Sequence, residues 1–235
     1  MGEKPNQKLE GSQAVGSNPF RKVEKVESVR GVRVCVRELR LEDVDQMQNW
    51  AEHEDPLFFY YNFPKISQKE RQQWYQMKTR WLIRKSYAIE NEHGRVIGYL
   101  SIRNINWIKR ESELGIVLDP AYINQGYGSE ALWVFLGHYF ETLKMQSLKL
   151  RTAKFNKRAI RCYQRCGFRI IKETEEEFED QYSEIFYQPE YQHLKKLFTE
   201  KRGKKMTKYL HMKITRKEYA QLVNSFSTKN MQNCE

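Results

Sequence analysis

The chain has 235 residues, with 41 Lys and Arg against 30 Asp and Glu, which gives a formal net charge of +11. The length predicts one domain, and a composition that is 40% hydrophobic and 13% aromatic excludes wholesale disorder. The basic balance favours an anionic partner, such as a nucleic acid or a phosphorylated cofactor. No apolar run approaches the roughly 18 residues of a membrane span, and no signal-like segment opens the chain, so we expect a cytoplasmic protein without a membrane partner.

Changes in composition along the chain suggest its boundaries. Residues 1–30 are polar and aperiodic, and we expect a disordered N-terminal arm there. A single domain is expected over 31–218, with an insertion of unusual charge at about 175–205. The polar residues 219–235 are expected to form a C-terminal tail.

Within the domain, hydrophobic alternation predicts strands and a 3.6-residue period predicts helices. The expected strands cover 32–37, 86–91, 95–105, 111–119, 148–155, 167–174 and 206–215. The expected helices cover 41–53, 69–83, 126–144 and 156–166, with an aromatic turn at 56–64. This order of elements indicates a mixed α/β domain.

Two oppositely charged runs stand before the last strand. Residues 173–184 hold seven acidic side chains and no basic one, whereas 195–208 hold seven basic side chains and one acidic, Glu200. The simplest interpretation is a solvated surface of loops and helices. Alternatively, the acidic run contacts a polycation and the basic run contacts a ribosome or RNA.

The segment from Glu113 to Leu132 carries the strongest chemical signal. A strand ends there, and a short loop with Gly126 and Gly128 leads into a helix. The glycines let the backbone approach a ligand, and the helix N-terminus offers unpaired N–H donors, so a pyrophosphate is favoured. Alone this pattern is weak, since such glycines often serve only the turn. It is not a P-loop, because no Gly-Lys-Ser/Thr follows, and it is a poor dinucleotide fingerprint without a third glycine.

Together with a second motif, this loop resembles the GNAT acetyltransferase superfamily, in particular its bacterial branch that modifies ribosomal-protein N-termini, polyamines or small amines. Residues 123–128 match the family's phosphate loop, except that Ile123 stands where Arg or Gln is usual. Residues 156–168 match its second signature, Asn-x-x-Ala-x-x-x-Tyr-x-x-x-Gly-Phe. The resemblance covers about 32–174 and the last strand. It implies the GNAT fold, a central, mostly antiparallel twisted sheet of six to seven strands flanked by helices.

The resemblance also implies acetyl-CoA as the acetyl donor, without a metal, and direct transfer to a primary amine in a ternary complex. The expected acceptor is a basic protein N-terminus, a polyamine or a small amine, and homodimers are common among relatives. The positions that the resemblance places at the cofactor are Ile116, Val117, Leu118, Ile123, Asn124, Gln125, Gly126, Tyr127, Gly128, Ser129, Asn156, Ala159 and Tyr163.

Two residues match catalytic positions of the family. Glu113 stands where the family often places the general base, and the alternative is a structural carboxylate paired with an arginine such as Arg103. Tyr163 matches the general acid near the CoA sulfur, and the alternative is a buried ring packed on Phe168. The acceptor pocket, or alternatively a hydrophobic lid, is expected at Phe58, Phe59, Tyr60 and Tyr61.

A function from another class is also open: a non-catalytic, basic RNA- or ribosome-binding protein on the same fold. It rests on the run 195–208, and intact Gly126, Asn156 and Tyr163 favour the enzyme instead. Two cysteines four residues apart in 156–168 indicate core packing, because no second Cys/His pair stands at metal-ligand spacing.

Overall fold

The computed structural model describes residues 28–80 and 82–232, with side chains described up to residue 225. The strands are Ser28–Arg30 (β1), Val34–Glu38 (β2), Arg84–Asn91 (β3), Val96–Asn106 (β4), Glu111–Leu118 (β5), Ser147–Ala153 (β6), Arg169–Glu177 (β7), Phe198–Lys201 (β8) and Lys204–Thr215 (β9). The α-helices are Leu41–Met47 (α1), Gln68–Lys78 (α2), Tyr127–Gly137 (α3), Lys157–Arg165 (α4) and Arg216–Gln232 (α5). The strands form one sheet in the order β1-β2-β3-β4-β5-β6-β9-β7, with β8 beside β9. Neighbouring strands are antiparallel except β5 and β6.

This architecture confirms the predicted fold class, with nine strands in place of six or seven. The two additional strands are β1 and β8, of three and four residues. β1 uses residues 28–30 of the expected arm and pairs with β2, while residues 1–27 lie outside the described part of the chain. Such short strands contain too few alternating positions to be recognised in a sequence.

Residues 219–232, expected to belong to a polar tail, continue helix α5, and residues 233–235 lie outside the described part of the chain. Tyr219 is buried, its ring centroid lies 5.2 Å from that of Phe140, and its hydroxyl donates a hydrogen bond to Glu141 at 3.1 Å. Leu222 packs so closely over Gly167 that a Cβ there would lie 2.2 Å from its Cδ1. A few apolar contacts dock this helix although most of its residues are polar, which is why composition alone predicted a tail.

Helices cover both faces of the sheet. On one face, α3 buries Leu132 and Phe135 completely in the main core. On the other face lie α1, α2 and Trp50, whose indole Nε1 donates to the carbonyl of Val96 at 2.9 Å and whose ring stacks on Tyr99. Within the described residues, no helix has both the length and the apolar character needed to cross a membrane.

The two charged runs lie next to each other in the sheet. The acidic run begins in β7, and the basic run continues through β8 into β9, which lies between β7 and β6. Ion pairs between the two runs include Lys208–Glu173, Lys201–Glu175 and Lys204–Glu177. From β6 and the residue that follows it, Arg151 and Lys154 also pair with the acidic run, at Glu176, Glu179 and Glu173. Solvent screens these exposed pairs and each adds little stability, but together they neutralise charge that the sequence suggested was solvated.

The insertion also builds a small core of its own. Phe178, Ile185 and Phe186 are buried there together with Leu57 from the aromatic segment. A 3₁₀ helix at Pro189–Leu197 follows, and β8 then pairs with β9. The insertion therefore holds the aromatic segment against the sheet near the end of β6.

Candidate active site

The site lies where β5 and β6 separate. These strands pair in parallel only at Glu111–Glu113 with Ser147–Lys149. Beyond this point β5 runs to Leu118 and β6 to Ala153, and no further pairing between them occurs in the described chain. Because β5 pairs with β4 along its other edge, the edge that faces the gap keeps backbone N–H and C=O groups available to a ligand.

A cleft of about 320 Å³ occupies this gap. It is lined by His53, Tyr61, Ile116, Val117, Leu118, Ile123, Asn124, Gly126, Gly128, Ser129, Asn156, Arg158, Ala159, Arg161, Cys162, Tyr163 and Arg165. All of the predicted cofactor residues line it except Gln125 and Tyr127. The Gln125 amide donates to the carbonyl of Ala121 at 2.7 Å, and the Tyr127 hydroxyl donates to Glu92 at 3.0 Å.

The glycine loop is built as the sequence predicted. Gly126 has a φ of +89° and is the N-cap of α3, a conformation that favours glycine. At Gly128 a Cβ would lie 2.9 Å from Leu118 Cδ1, so the helix approaches β5 closely because residue 128 has no side chain. Arg33 supports the loop, with Nη1 donating to the Gln125 carbonyl at 3.1 Å. The first N–H groups of α3 are therefore held at the rim of the cleft.

Helix α4 forms the opposite wall. The Asn156 side chain accepts a hydrogen bond from the Ala159 N–H at 3.1 Å, as expected of an N-cap. Arg158, Arg161 and Arg165 line the cleft at spacings of three and four residues, which places them on neighbouring helical positions. Sequence reasoning did not assign these arginines to the site, although all three lie inside the second motif. Their charges suit phosphate groups.

Tyr163 lines the cleft, and its ring centroid lies 6.0 Å from that of Phe168. Tyr163 therefore packs on Phe168 as the alternative predicted and also lines the cleft, and its role as the general acid stays a prediction. Burial raises the pKa of Tyr163 above its ordinary value. The hydroxyl consequently keeps its proton at neutral pH and can donate it.

Glu113 does not line this cleft. It stands directly opposite Arg103 in the β4–β5 ladder and forms an ion pair with it, and the Asn104 amide donates to its second oxygen at 3.2 Å. This is the arrangement that the structural alternative predicted. A second groove of about 600 Å³ is lined by Arg84, Arg103, Asn104, Glu111, Ser112, Glu113, Lys149, Leu150, Arg151 and His211.

Of the four aromatic residues expected at the acceptor, Tyr61 lines the cleft. The Phe58 ring packs on Phe155, with the ring centroids 6.0 Å apart. The Tyr60 ring packs on Phe178 of the insertion, with the centroids 5.1 Å apart, and Phe59 is half-buried. The lid interpretation therefore fits most of this segment. His53 also lines the cleft and was missed, because no pattern of histidines in the sequence singles it out.

The comparison with known families agrees with this geometry. Residues 33–169 match the family model described as an acetyltransferase (GNAT) domain. The chain belongs to the GNAT acetyltransferase family. The match includes the glycine loop and α4, and it confirms the prediction of an acetyl-CoA-dependent N-acetyltransferase.

Curated relatives and solved structures agree with the GNAT assignment. The chain is 22% identical over 166 residues to a spermidine N(1)-acetyltransferase of Vibrio cholerae serotype O1, covering 71% of this chain and 92% of the relative. It is 24% identical over 145 residues to the Escherichia coli K12 spermidine N(1)-acetyltransferase, covering 62% and 77%. The crystal structure of spermidine N-acetyltransferase from Vibrio cholerae in complex with CoA and spermine superposes with a TM-score of 0.60 at 20% identity, covering 81% of this chain and 99% of that one. At this identity the structural likeness shows the fold.

Proposed function

We propose that this GNAT protein transfers the acetyl group of acetyl-CoA to a primary amine of a polyamine. The cleft between β5 and β6 is the observation that carries the proposal. One end has the glycine loop and the arginines of α4, and the lining also includes a protonated tyrosine, Tyr163. The polyamine class is taken from the relatives, which are named spermidine N(1)-acetyltransferases, and from the solved neighbour bound to CoA and spermine.

The residues present fit CoA. Its pyrophosphate would bind the N–H groups that follow Gly126 and the guanidinium groups of α4. The pantetheine amides would pair with the free edge of β5 at Ile116–Leu118. Tyr163 would then donate a proton to the sulfur as the thiolate leaves.

The cleft passes through the sheet, and this favours direct transfer. Ile116 and Leu118 pack on the α3 face, whereas Val117 packs on the α1–α2 face, and all three line the cleft. Donor and acceptor can therefore enter from opposite faces and meet in one ternary complex.

The second groove adds no support for a polycationic acceptor. Its two carboxylates, Glu111 and Glu113, are paired with Lys149 and Arg103, and its lining holds two further arginines. Four cationic side chains against two carboxylates would repel the ammonium groups of a polyamine. The acidic run of β7 likewise already has its own basic partners.

Calorimetric titration with acetyl-CoA, followed by thiol release with spermidine, spermine, putrescine and a basic peptide, tests the proposal. We expect micromolar acetyl-CoA binding and thiol release that depends on a polyamine. Gly128→Val is the control variant, because a side chain at residue 128 would clash with Leu118. This variant should lose acetyl-CoA binding and turnover together. If the protein binds acetyl-CoA but acetylates only the peptide, the polyamine assignment is overturned. If it does not bind acetyl-CoA, the proposed acetyl transfer is overturned.

The RNA-binding alternative is less well supported, because lysines of its basic run already pair with glutamates of β7. Lys201, Lys204 and Lys208 contact Glu175, Glu177 and Glu173, respectively. RNA affinity that falls steeply with salt, in a chain that does not bind acetyl-CoA, would favour this alternative. The homodimer, the cytoplasmic location and the absence of a metal stay predictions.

A further inference from the structure

An amine acceptor must lose a proton before or during attack, so the site needs a base. The described lining of the cleft contains no carboxylate, and Glu113 is held by Arg103 outside it. Burial raises the pKa values of Tyr61 and Tyr163, so both tyrosines stay protonated. Two lining residues remain that can accept a proton near neutral pH: His53 and Cys162.

Cys162 lies at the wrong end of the cleft. The Ser129 hydroxyl, in the first turn of α3, donates to its Sγ at 3.3 Å. That turn is where the pyrophosphate is expected, and a thiolate beside phosphates would be repelled. Tyr61 lines the cleft together with Tyr163, and the His53 ring centroid lies 6.4 Å from that of Tyr61. His53 therefore reaches the cleft beside the aromatic segment expected at the acceptor, and not from α3 or α4.

The fold holds the His53 ring in a defined position. Its backbone N–H donates to the Asn62 side chain at 2.7 Å, and its ring lies 5.7 Å from that of Phe58. Two residues earlier, the Ala51 N–H donates to Asp119 Oδ1 at 3.1 Å, which ties this segment to the end of β5. His53 is 9% exposed and lines the cleft, so it forms a buried part of the cleft wall.

The surroundings keep this imidazole neutral. Burial, followed by the charge of Arg158 on α4, lowers the pKa of His53 below 6.5, and the Asp55 carboxylate opposes them more weakly. Tyr61, which packs from the 3₁₀ helix, is protonated and adds no charge. Among the described residues, neither ring nitrogen has a hydrogen-bond partner, so a nitrogen is available to the acceptor.

We propose that His53 is the general base that deprotonates the acceptor amine, an inference that rests on the proposed function. The His53 ring takes one proton from the ammonium group. The freed lone pair forms the C–N bond, the C–S bond breaks, and the leaving thiolate takes the proton of Tyr163. The second nitrogen proton then returns to the Tyr163 phenolate, and His53 releases its proton to solvent. The products are the amide, CoA thiol and one proton.

The test compares His53→Gln with His93→Gln, which removes an exposed histidine from the β3–β4 turn. We expect His53→Gln to lower kcat about 100-fold while the Kd for acetyl-CoA stays within twofold, and His93→Gln to change neither. The wild-type kcat should level off above the pKa of His53. In His53→Gln the rate should keep rising to pH 9, because deprotonation then depends on solvent.

A titration of the histidine ring signals by NMR, in wild type and in His53→Gln, keeps the inference testable if no tested amine is acetylated. The resonance that disappears in the variant should titrate below pH 6.5 and shift when acetyl-CoA is added. A pKa of 6.5 or higher, or a wild-type kcat in His53→Gln, would overturn the role of His53. If the wild-type protein does not bind acetyl-CoA, the proposed function is overturned instead.

Discussion

Replacing Gly126 with alanine tests whether the loop binds the cofactor through its backbone. Its φ of +89° costs an L-residue about 1–2 kcal/mol. A Cβ there would lie 3.0 Å from Arg33 Nη2, the movable end of a side chain, so the cost is conformational rather than steric. The free loop can relieve this strain by rotating, and binding must then restore the conformation. We expect the affinity for acetyl-CoA, measured by calorimetry, to fall about 5- to 30-fold.

Gly203→Ala is the matched control for this variant. Gly203 has a φ of +73° in the β8–β9 turn, and nothing lies within 4 Å of a Cβ placed there. It therefore carries a comparable backbone penalty outside the lining of the cleft, and its melting temperature should fall by about 2–8 °C with an unchanged Kd. Wild-type affinity in Gly126→Ala, with a comparable loss of stability, would refute the assignment of this loop to the phosphates.

Three further predictions concern the helices and the core. Tyr163→Phe should lower kcat about 100-fold and leave the Kd for acetyl-CoA unchanged; an unchanged kcat would remove its role as the acid. Asn156→Ala should lower the free energy of unfolding by about 1 kcal/mol in urea, because the Ala159 N–H loses its cap, and Asn156→Ser should restore most of it. Burial lowers the pKa of His138 to about 4. As the pH falls, this histidine is therefore protonated at a higher pH in the unfolded chain than in the folded protein. Stability should thus drop by roughly 3 kcal/mol between pH 6.5 and 4, and His138→Leu should flatten this dependence in urea titrations at each pH.

The local structure of the proposed cofactor half could be predicted because its signals are local. A glycine in a left-handed conformation, an N-capping Asn156 and the first turns of α3 and α4 all depend on neighbours within a few residues. Local rules of this kind act on the backbone itself, so a short motif specifies the structure. Gln125 and Tyr127 lie within the same motif but point away, since a loop motif does not say which side chains face the ligand.

The role of Glu113 could not be decided from the sequence, because it depends on strand register. Arg103 and Glu113 are ten residues apart and become direct neighbours only when β4 and β5 pair in the observed register. A one-residue shift would move Glu113 to the other face of the sheet. The neutralisation of the charged runs could not be predicted for the same reason. Lys201 of β8 pairs with Glu175 of β7 across β9, which lies between these two strands in the sheet.

The proposed acceptor half of the site is assembled from distant parts of the chain. His53 and Tyr61 are positioned by Asp119 at the end of β5 and by Phe178 in the insertion, which packs on Tyr60. None of these residues belongs to the two motifs that identify the family. Changes in the insertion can therefore alter the position of His53 and Tyr61, and with it the choice of amine, while the cofactor stays in place. Acceptor specificity should accordingly follow the segment 53–61 and the insertion rather than the two motifs that identify the family.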